Sequence, residues 1–201
     1  DWRAILWVFV KKFTNLHKDE GFARSPRCLI LDDSILTKAG KTIERVSRVW
    51  DHVTQRYVLG FKLLLLSYWD GTSNIAVDFS LHREKGRNKD KPYGFKKNSL
   101  KKQFKKDREK GSAGSKRVRE CDKSKMDNAI KMVRRAIAKG LQVDYLLMDS
   151  WYTCWAFVEL VLNSKKQDMH LIGMYKTAKT KFEFQRKQLT HKQILNELGK
   201  A

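Results

Sequence analysis

Residues 28–34 read CLILDDS, and residues 145–150 read YLLMDS. Each is a short apolar run of the kind that forms a buried strand, and each ends on aspartate followed by serine. A carboxylate that is dry and unpaired costs several kcal/mol, so both acids must lie where the sheet ends and a cation is at hand. In open α/β sheets that place is the crevice beyond the carboxyl ends of the strands.

The two runs predict neighbouring parallel strands, which lie about 4.8 Å apart in a sheet. At that spacing Asp33 and Asp149 are placed to share one divalent cation. Ligand sets made only of oxygen favour Mg²⁺ or Mn²⁺ over zinc. Each acid also has an ordinary structural interpretation. Asp149 is then the N-cap of a helix that DSWYTCW opens, and DDS is a turn after a strand.

The charge of the chain is an observation that neither structural interpretation explains. Lys and Arg number 43 against 22 Asp and Glu, which gives a formal net charge of +21. An imbalance of this size attracts polyanions, so nucleic acid is the leading class of partner. The alternative is a merely basic protein, for example one associated with the ribosome.

Composition also argues against several other classes of protein. The three cysteines, Cys28, Cys121 and Cys154, are spread without a C-x-x-C pair, which favours reduced thiols in an intracellular protein. The five histidines show no zinc-ligand spacing. The longest apolar stretch, residues 57–69, is interrupted by Lys62 and is too short to span a bilayer, so we expect no membrane association.

Hydrophobic periodicity divides the chain into two parts. Apolar residues at helical spacing over residues 2–20 predict a helix. Residues 1–24 are interpreted as that helix and a linker, the tail of a missing N-terminal region. Residues 25–201 are interpreted as one core, incomplete at its C-terminus, with a basic insertion at about 85–125.

Within the core, residues 34–56 predict irregular structure, whereas residues 57–68 and 75–81 predict an antiparallel hairpin around an Asp70–Gly71 turn. The later predicted elements are a helix over 129–137, a strand over 143–149, a helix over 151–163, a strand over 170–175 and a helix over 190–198 capped by Thr190. This order indicates a mixed sheet flanked by helices.

Residues 85–125 hold 17 Lys and Arg against 5 Asp and Glu, with several glycines and few aliphatic residues. This composition predicts a flexible basic insertion whose lysines neutralise DNA phosphates. Aromatic residues are interleaved with the charges at Tyr93, Phe95 and Phe104. The alternative is a solvated basic loop with no defined site. The candidate phosphate contacts are Lys96, Lys97, Lys101 and Lys102.

Further candidate DNA contacts follow each acid in the sequence. After the second acid, Trp151 and Tyr152 are candidates to stack on a displaced base. Two aromatic residues that open an amphipathic helix are, alternatively, part of the core. The basic residues that follow the first acid, and that would touch the DNA backbone near the cut, are Lys38, Lys41, Arg45 and Arg48.

Four segments together resemble the catalytic core of DDE transposases of bacterial insertion sequences, of the cut-and-paste type. The resemblance lies in the order and spacing of the segments, and it covers residues 28–201 except the basic insertion. The segments are LILDDSILTKAGK (29–41), GFKLLLLSYWDG (60–71), AVDFSLHRE (76–84) and YLLMDSWYTCWAFVELV (145–161).

The resemblance implies an α/β, RNase H-like fold: a mixed five-stranded sheet of order 3-2-1-4-5, flanked by helices, with the catalytic acids at the ends of strands 1 and 4. Asp149 matches the second acid. Asp33 matches the first, because it precedes the hydroxyl residue as in the family pattern. Strand alternation sends Asp32 to the opposite face, and we keep it as a further metal ligand.

The third acid of such enzymes is a glutamate on a late helix, within a signature that also contains Tyr, Arg and Lys. Glu159 follows Asp149 too soon to match it, and Glu183 and Glu197 lack the Tyr and the Arg. A β-rich insertion precedes this glutamate in the related branch of the family. We therefore expect the glutamate to lie beyond Ala201.

The function that the resemblance implies is metal-dependent DNA strand cleavage and strand transfer during transposition, with two Mg²⁺ or Mn²⁺ ions in the complete site. The implied partners are transposon ends and target DNA, bound by a homodimer in the cytoplasm, on the nucleoid. One alternative is a basic nucleic-acid-binding protein without catalysis, a decayed or domesticated transposase. Another is a different RNase H-like nuclease, such as a junction resolvase.

Overall fold

One mixed sheet organises the chain, of which the computed structural model describes residues 1–16, 25–164, 168–174 and 181–199. Two further strands form a separate antiparallel pair, β7 (Lys181–Phe184) and β8 (Lys187–Thr190). The six strands of the main sheet are β1 (Cys28–Thr37), β2 (Ser47–Asp51), β3 (Arg56–Trp69), β4 (Asn74–His82), β5 (Tyr145–Met148) and β6 (His170–Gly173).

The long strand β3 is paired along both of its edges. β1 pairs with it antiparallel, from Cys28 opposite Trp69 to Thr37 opposite Gly60. The other edge carries β2 and β4 end to end. At Gly60, where β1 and β2 both meet β3, an added Cβ would lie 2.3 Å from the carbonyl oxygen of Leu36. Only glycine allows this close approach of the backbones.

The predicted sheet of five strands needs correction, because the observed sheet has six. The path of paired strands is β2-β3-β1-β5-β6, and β4 pairs with β3 outside that path. The added strand β2 falls in residues 34–56, where the sequence predicted irregular structure. Val46 and Val49 are fully buried there, so apolar packing stabilises a strand whose sequence pattern is weak.

Six helices and one 3₁₀ turn are present among the described residues. The predicted hairpin is confirmed, as are the helices predicted over 129–137 and 190–198. The helix predicted over 151–163 starts later than predicted, because α5 begins at Trp155 after a turn. Thr190 caps the last helix as predicted, since Thr190 N donates to Gln193 Oε1 at 2.9 Å and Gln193 N donates to Thr190 Oγ1 at 3.5 Å. The helical elements are α1 (Trp2–Leu16), the 3₁₀ turn Pro92–Gly94, α2 (Lys97–Lys101), α3 (Ala113–Glu120), α4 (Lys125–Ala138), α5 (Trp155–Leu162) and α6 (His191–Leu198).

The main core lies between the sheet and helices α4 and α5. Leu29, Leu64 and Leu146 supply it from three adjacent strands, and Met132 and Phe157 supply it from the two helices; all five are fully buried. Packing of this kind fixes the ends of β1 and β5 relative to the start of α4. The position of the two predicted acids depends on that arrangement.

The basic insertion contains helices α2 and α3 and packs against the rest of the chain, whereas its composition predicted a flexible segment. Phe95 is buried in a second apolar cluster with Val46 and Phe61. Gln103 is also buried, and its Nε2 donates to the carbonyl oxygen of Val46 at 2.8 Å. The composition of the segment is dominated by its exposed lysines. The few residues that attach it to the connection between β1 and β2 cannot be identified from composition.

Helix α1 packs against β4, where Val10 enters the main core. Its Arg3 pairs with Asp78 at 2.7 Å and with Glu120 at 2.8 Å, which joins the helix to β4 and α3. The helix predicted over residues 2–20 is confirmed as far as Leu16. Its predicted last residues, 17–20, and the linker predicted up to residue 24 lie outside the described residues. None of the helices in the described part of the chain has the length and apolar character needed to cross a bilayer.

Candidate active site

The candidate site lies where β5 stops and β1 continues. The two strands pair in parallel from Cys28 opposite Tyr145 to Leu31 opposite Met148. Asp149 therefore follows the last residue of β5. Beyond Leu31, β1 continues to Thr37 against β3 alone. The sequence predicted that β1 ends at its acid, whereas Asp33 lies within β1, beyond the point at which the shorter strand β5 stops.

Both carboxylate oxygens of Asp33 have hydrogen-bond partners. Tyr152 donates its hydroxyl proton to Oδ1 at 2.9 Å, and Lys125 donates from Nζ to Oδ2 at 2.9 Å. Two charge-assisted hydrogen bonds from different elements hold the carboxylate in one orientation. Asp33 is thus fixed by the start of α4 on one side and by the turn after β5 on the other.

Tyr152 is fully buried, so it is part of the core, which is the alternative that the sequence left open, and it is not placed to stack on a DNA base. Burial raises the pKa of its phenol well above the ordinary value, and the negative charge of Asp33 and the hydrogen bond to it raise that pKa further. The charges of Asp149 and Asp32 act on the pKa in the same direction. The hydroxyl therefore stays protonated and donates its proton to Asp33.

Asp149 organises the turn that carries Tyr152. Its Oδ1 accepts hydrogen bonds from the backbone amides of Trp151 at 3.0 Å and Tyr152 at 3.3 Å. Its carbonyl oxygen accepts the hydroxyl proton of Thr153 at 2.9 Å. Asp149 does not cap α5, which begins at Trp155, but it does cap this preceding turn. The interpretation of Asp149 as a capping residue therefore holds for the turn and not for the helix. This turn places the hydroxyl of Tyr152 against Asp33.

Asp32 is exposed, and its Oδ1 accepts a hydrogen bond from the backbone amide of Asp33 at 2.7 Å. Asp33, by contrast, is shielded, with 17% of its side chain exposed. The two acids on β1 thus have different environments. Asp33, with one partner on α4 and one in the turn after β5, is the more firmly held of the pair.

Lys125 belongs to the site, although the sequence pattern placed it only at the end of the basic insertion. Its ammonium lies 5.6 Å from the ring centroid of Trp151 and 5.9 Å from that of Tyr152, in addition to its ion pair with Asp33. Cation–π attraction of this kind holds a lysine over an aromatic face. No local pattern identifies such a residue, because its partners come from two distant segments.

A comparison with family models matches residues 7–178 to a family described as DDE superfamily endonuclease. The chain belongs to this family. A comparison with curated proteins finds no match. Among solved structures, a Drosophila P element transposase strand transfer complex is similar over 93% of this chain and 37% of that chain, with 10% sequence identity and a TM-score of 0.28. Likeness this low supports no conclusion about the fold.

The two candidate acids have the type of ligand atom that a hard divalent cation prefers. Asp33 and Asp149 offer only oxygen, which suits Mg²⁺ or Mn²⁺. The ammonium of Lys125 against Asp33 Oδ2 demonstrates that this oxygen accepts a cation. Within the described ranges, no group of three or more His, Cys, Asp or Glu side chains is placed to hold a metal ion. The residues therefore fit part of a metal site.

The residues predicted to bind DNA differ in how exposed they are. Arg45 pairs with Asp122 at 2.9 Å, and Lys38 is half-buried. Of the aromatic residues, Trp151 is 59% exposed and Phe104 is 63% exposed, whereas Phe95 is buried. The exposed cations of the predicted set are Lys41, Arg48, Lys96, Lys97, Lys101 and Lys102.

Proposed function

We propose that this chain is the catalytic domain of a DDE transposase, with an RNase H-like core and of the cut-and-paste kind found in bacterial insertion sequences. The observation that carries the proposal is the parallel pairing of β1 with β5, which puts Asp33 and Asp149 at the end of one strand pair. The family match over residues 7–178 supports it independently. The proposed reaction is cleavage of a DNA strand followed by transfer of its 3′-hydroxyl to target DNA.

Asp33 and Asp149 are the proposed catalytic carboxylates, and Asp32 is a proposed additional ligand, for two Mg²⁺ or Mn²⁺ ions. Divalent cations at such a site supply charge stabilisation to a phosphodiester that undergoes in-line displacement. Tyr152 fixes Asp33 through Oδ1, and the turn amides fix Asp149 through its own Oδ1. The chain thereby holds both acids in position before substrate binds.

No third acid is assigned within the described residues. A DDE site needs a glutamate beside the two aspartates, and neither Glu183 nor Glu197 lies in a sequence that matches the family pattern. Complete activity therefore requires a further carboxylate. A measurement of activity accordingly needs the longest natural chain that contains residues 1–201.

The proposed partner is DNA, in the form of transposon ends and target, bound by a homodimer in the nucleoid. The net charge of +21 supports a polyanionic partner. The exposed lysines on and beside α2, Lys96, Lys97, Lys101 and Lys102, are suited to contact phosphates. Trp151 is suited to stack on a base next to the acids, because it is exposed and adjoins Asp149.

A second candidate function is nucleic-acid binding without catalysis. It is favoured by the ion pair between Lys125 and Asp33, since an acid neutralised by a lysine can have a purely structural role. The two candidates differ in one respect only. Binding is expected of both, and metal-dependent strand cleavage is expected of the transposase alone.

The test compares cleavage of DNA that carries terminal inverted repeats, in the presence of Mg²⁺, by the parent, Asp33→Asn and Asp149→Asn. Asp107→Asn, at an exposed aspartate in the basic insertion, is the matched control for loss of one carboxylate. We expect cleavage by the parent and by Asp107→Asn, and its loss in the other two variants. Equal cleavage by all four proteins would refute the assignment of the acids. Binding without cleavage by the parent would favour the second candidate.

A further inference from the structure

Lys125 occupies the side of Asp33 on which a divalent cation would bind. Its Nζ lies 2.9 Å from Asp33 Oδ2, while Oδ1 is engaged by the hydroxyl of Tyr152. The side chains of Lys125 and Asp33 are only 23% and 17% exposed. Water therefore screens this ion pair less than it screens a pair on an open surface.

The position of Lys125 is unfavourable for the helix that bears it. It is the first residue of α4, where the positive end of the helix dipole repels a cation. Asp127 in the same first turn has the sign that this end of a helix favours. The contacts that compensate Lys125 come from outside the helix, from Asp33 and from the rings of Trp151 and Tyr152. Its placement therefore reflects the site rather than the stability of α4.

We propose that Lys125 is a positioning residue that competes with the divalent cation for Asp33. In the metal-free protein its ammonium holds the carboxylate in place together with Tyr152, and a cation that binds Oδ2 must displace it. This inference rests on the proposed function, because it requires Asp33 to be a metal ligand. It assigns to Lys125 a role that none of the predicted site residues has.

Metal binding to the protein without DNA provides the test, since it needs no catalytic activity. Mn²⁺ is titrated into the parent, Lys125→Met and Lys125→Arg, and free Mn²⁺ is measured by its electron paramagnetic resonance signal. Paramagnetic broadening of backbone amide resonances near Asp33 and Asp149 locates the bound ion. Lys123→Met is the matched control, because Lys123 is an exposed lysine that precedes the same helix.

Removal of the competing ammonium is expected to tighten Mn²⁺ binding by Lys125→Met about tenfold or more, which is the effect of removing one charge-assisted hydrogen bond. Lys125→Arg retains the ion pair and is expected to bind like the parent. Lys123→Met is expected to change the affinity by less than about threefold, because exposed charges are screened. If Lys125→Met does not fold, Lys125→Gln is used in its place.

The outcomes separate this inference from the proposed function. If Asp33→Asn abolishes Mn²⁺ binding but Lys125→Met binds no more tightly than Lys123→Met, the metal site stands and the competition is refuted. If neither the parent nor Lys125→Met shows broadening near Asp33 and Asp149, the inference and the proposed metal site both fail. Tighter binding by Lys125→Met, localised at those residues, supports both.

Discussion

Tyr152 donates its hydroxyl proton to Asp33 across 2.9 Å, although the two residues are 119 positions apart in the sequence. The bond joins the middle of β1 to the turn that Asp149 caps. A buried phenol with a raised pKa remains a donor throughout the pH range in which proteins are folded. Asp33 therefore has a neutral partner, Tyr152, at Oδ1 in addition to the ammonium of Lys125 at Oδ2.

Tyr152→Phe tests this relationship. The ring and its packing are retained, so the variant is expected to fold, with the free energy of unfolding in urea lowered by about 1–2 kcal/mol through removal of one hydrogen bond. Under the proposed function, metal-dependent cleavage is expected to fall more than DNA affinity. An unfolding free energy equal to that of the parent would mean that the bond contributes nothing.

Phe95→Ala tests whether the basic insertion is anchored by its buried aromatic residue. Truncation of a buried phenylalanine is expected to lower the free energy of unfolding by about 3 kcal/mol and to expose residues 85–125 to limited proteolysis. Phe104→Ala is the control, because that side chain is 63% exposed. Equal proteolysis of the two variants would indicate that the insertion does not depend on Phe95.

Replacing four lysines of the insertion by glutamine tests whether they bind DNA as proposed. These four are Lys96, Lys97, Lys101 and Lys102. The slope of the logarithm of the binding constant against the logarithm of salt concentration is expected to decrease by about 0.9 for each phosphate that is no longer neutralised. A control replaces four exposed lysines elsewhere, Lys11, Lys12, Lys131 and Lys187. The same decrease in both variants would show that net charge, rather than a defined surface, governs binding.

His82 makes stability depend on pH. Burial lowers its pKa below the ordinary value of 6.5, and its ring contacts Ser80 Oγ at 2.8 Å and the carbonyl oxygen of Lys123 at 3.1 Å. The unfolded chain binds a proton at this residue more readily than the folded chain. The stability present above the unfolded pKa is therefore lost as pH falls through 6.5 towards the folded pKa.

Urea unfolding of the parent at about pH 7.5 and about pH 5 measures this effect. In His82→Gln the corresponding part of the pH dependence is expected to disappear, because glutamine does not titrate. His52→Gln, at an exposed histidine, is expected to retain the pH dependence of the parent. Parallel pH profiles for the parent and His82→Gln would contradict the prediction.

The features that the sequence predicted well are those determined by local pattern. Two apolar runs that end on Asp33 and Asp149 identified a parallel strand pair, and an Asp70–Gly71 turn identified the β3–β4 hairpin. Strand β2 was missed because its five residues carry only a short alternation. β2 forms because β3 extends past the end of β4, which leaves an edge of β3 free to pair with β2.

The features that the sequence did not predict are those determined by contacts between distant segments. Lys125 and Asp33 are 92 residues apart, and only the packing of α4 against the sheet brings them together. The order of the basic insertion likewise depends on a contact between Gln103 and Val46. Charge composition contains no information about such contacts, so it described the segment as flexible.

The greater length of β1 relative to β5 gives the two acids unequal local stability. Asp33 lies opposite Leu64 in a ladder that continues to Ser80 on β4, so its backbone is paired with β3 on one side, while its other side lies beyond the end of the pairing with β5. Asp149 lies in a turn, where a few hydrogen bonds open without disturbing the ladder. Amide hydrogens of β1 that bond to β3 are expected to exchange with solvent more slowly than those after Asp149, which exchange through local opening. Adjustment to a bound substrate would then occur on the Asp149 side while Asp33 keeps its place.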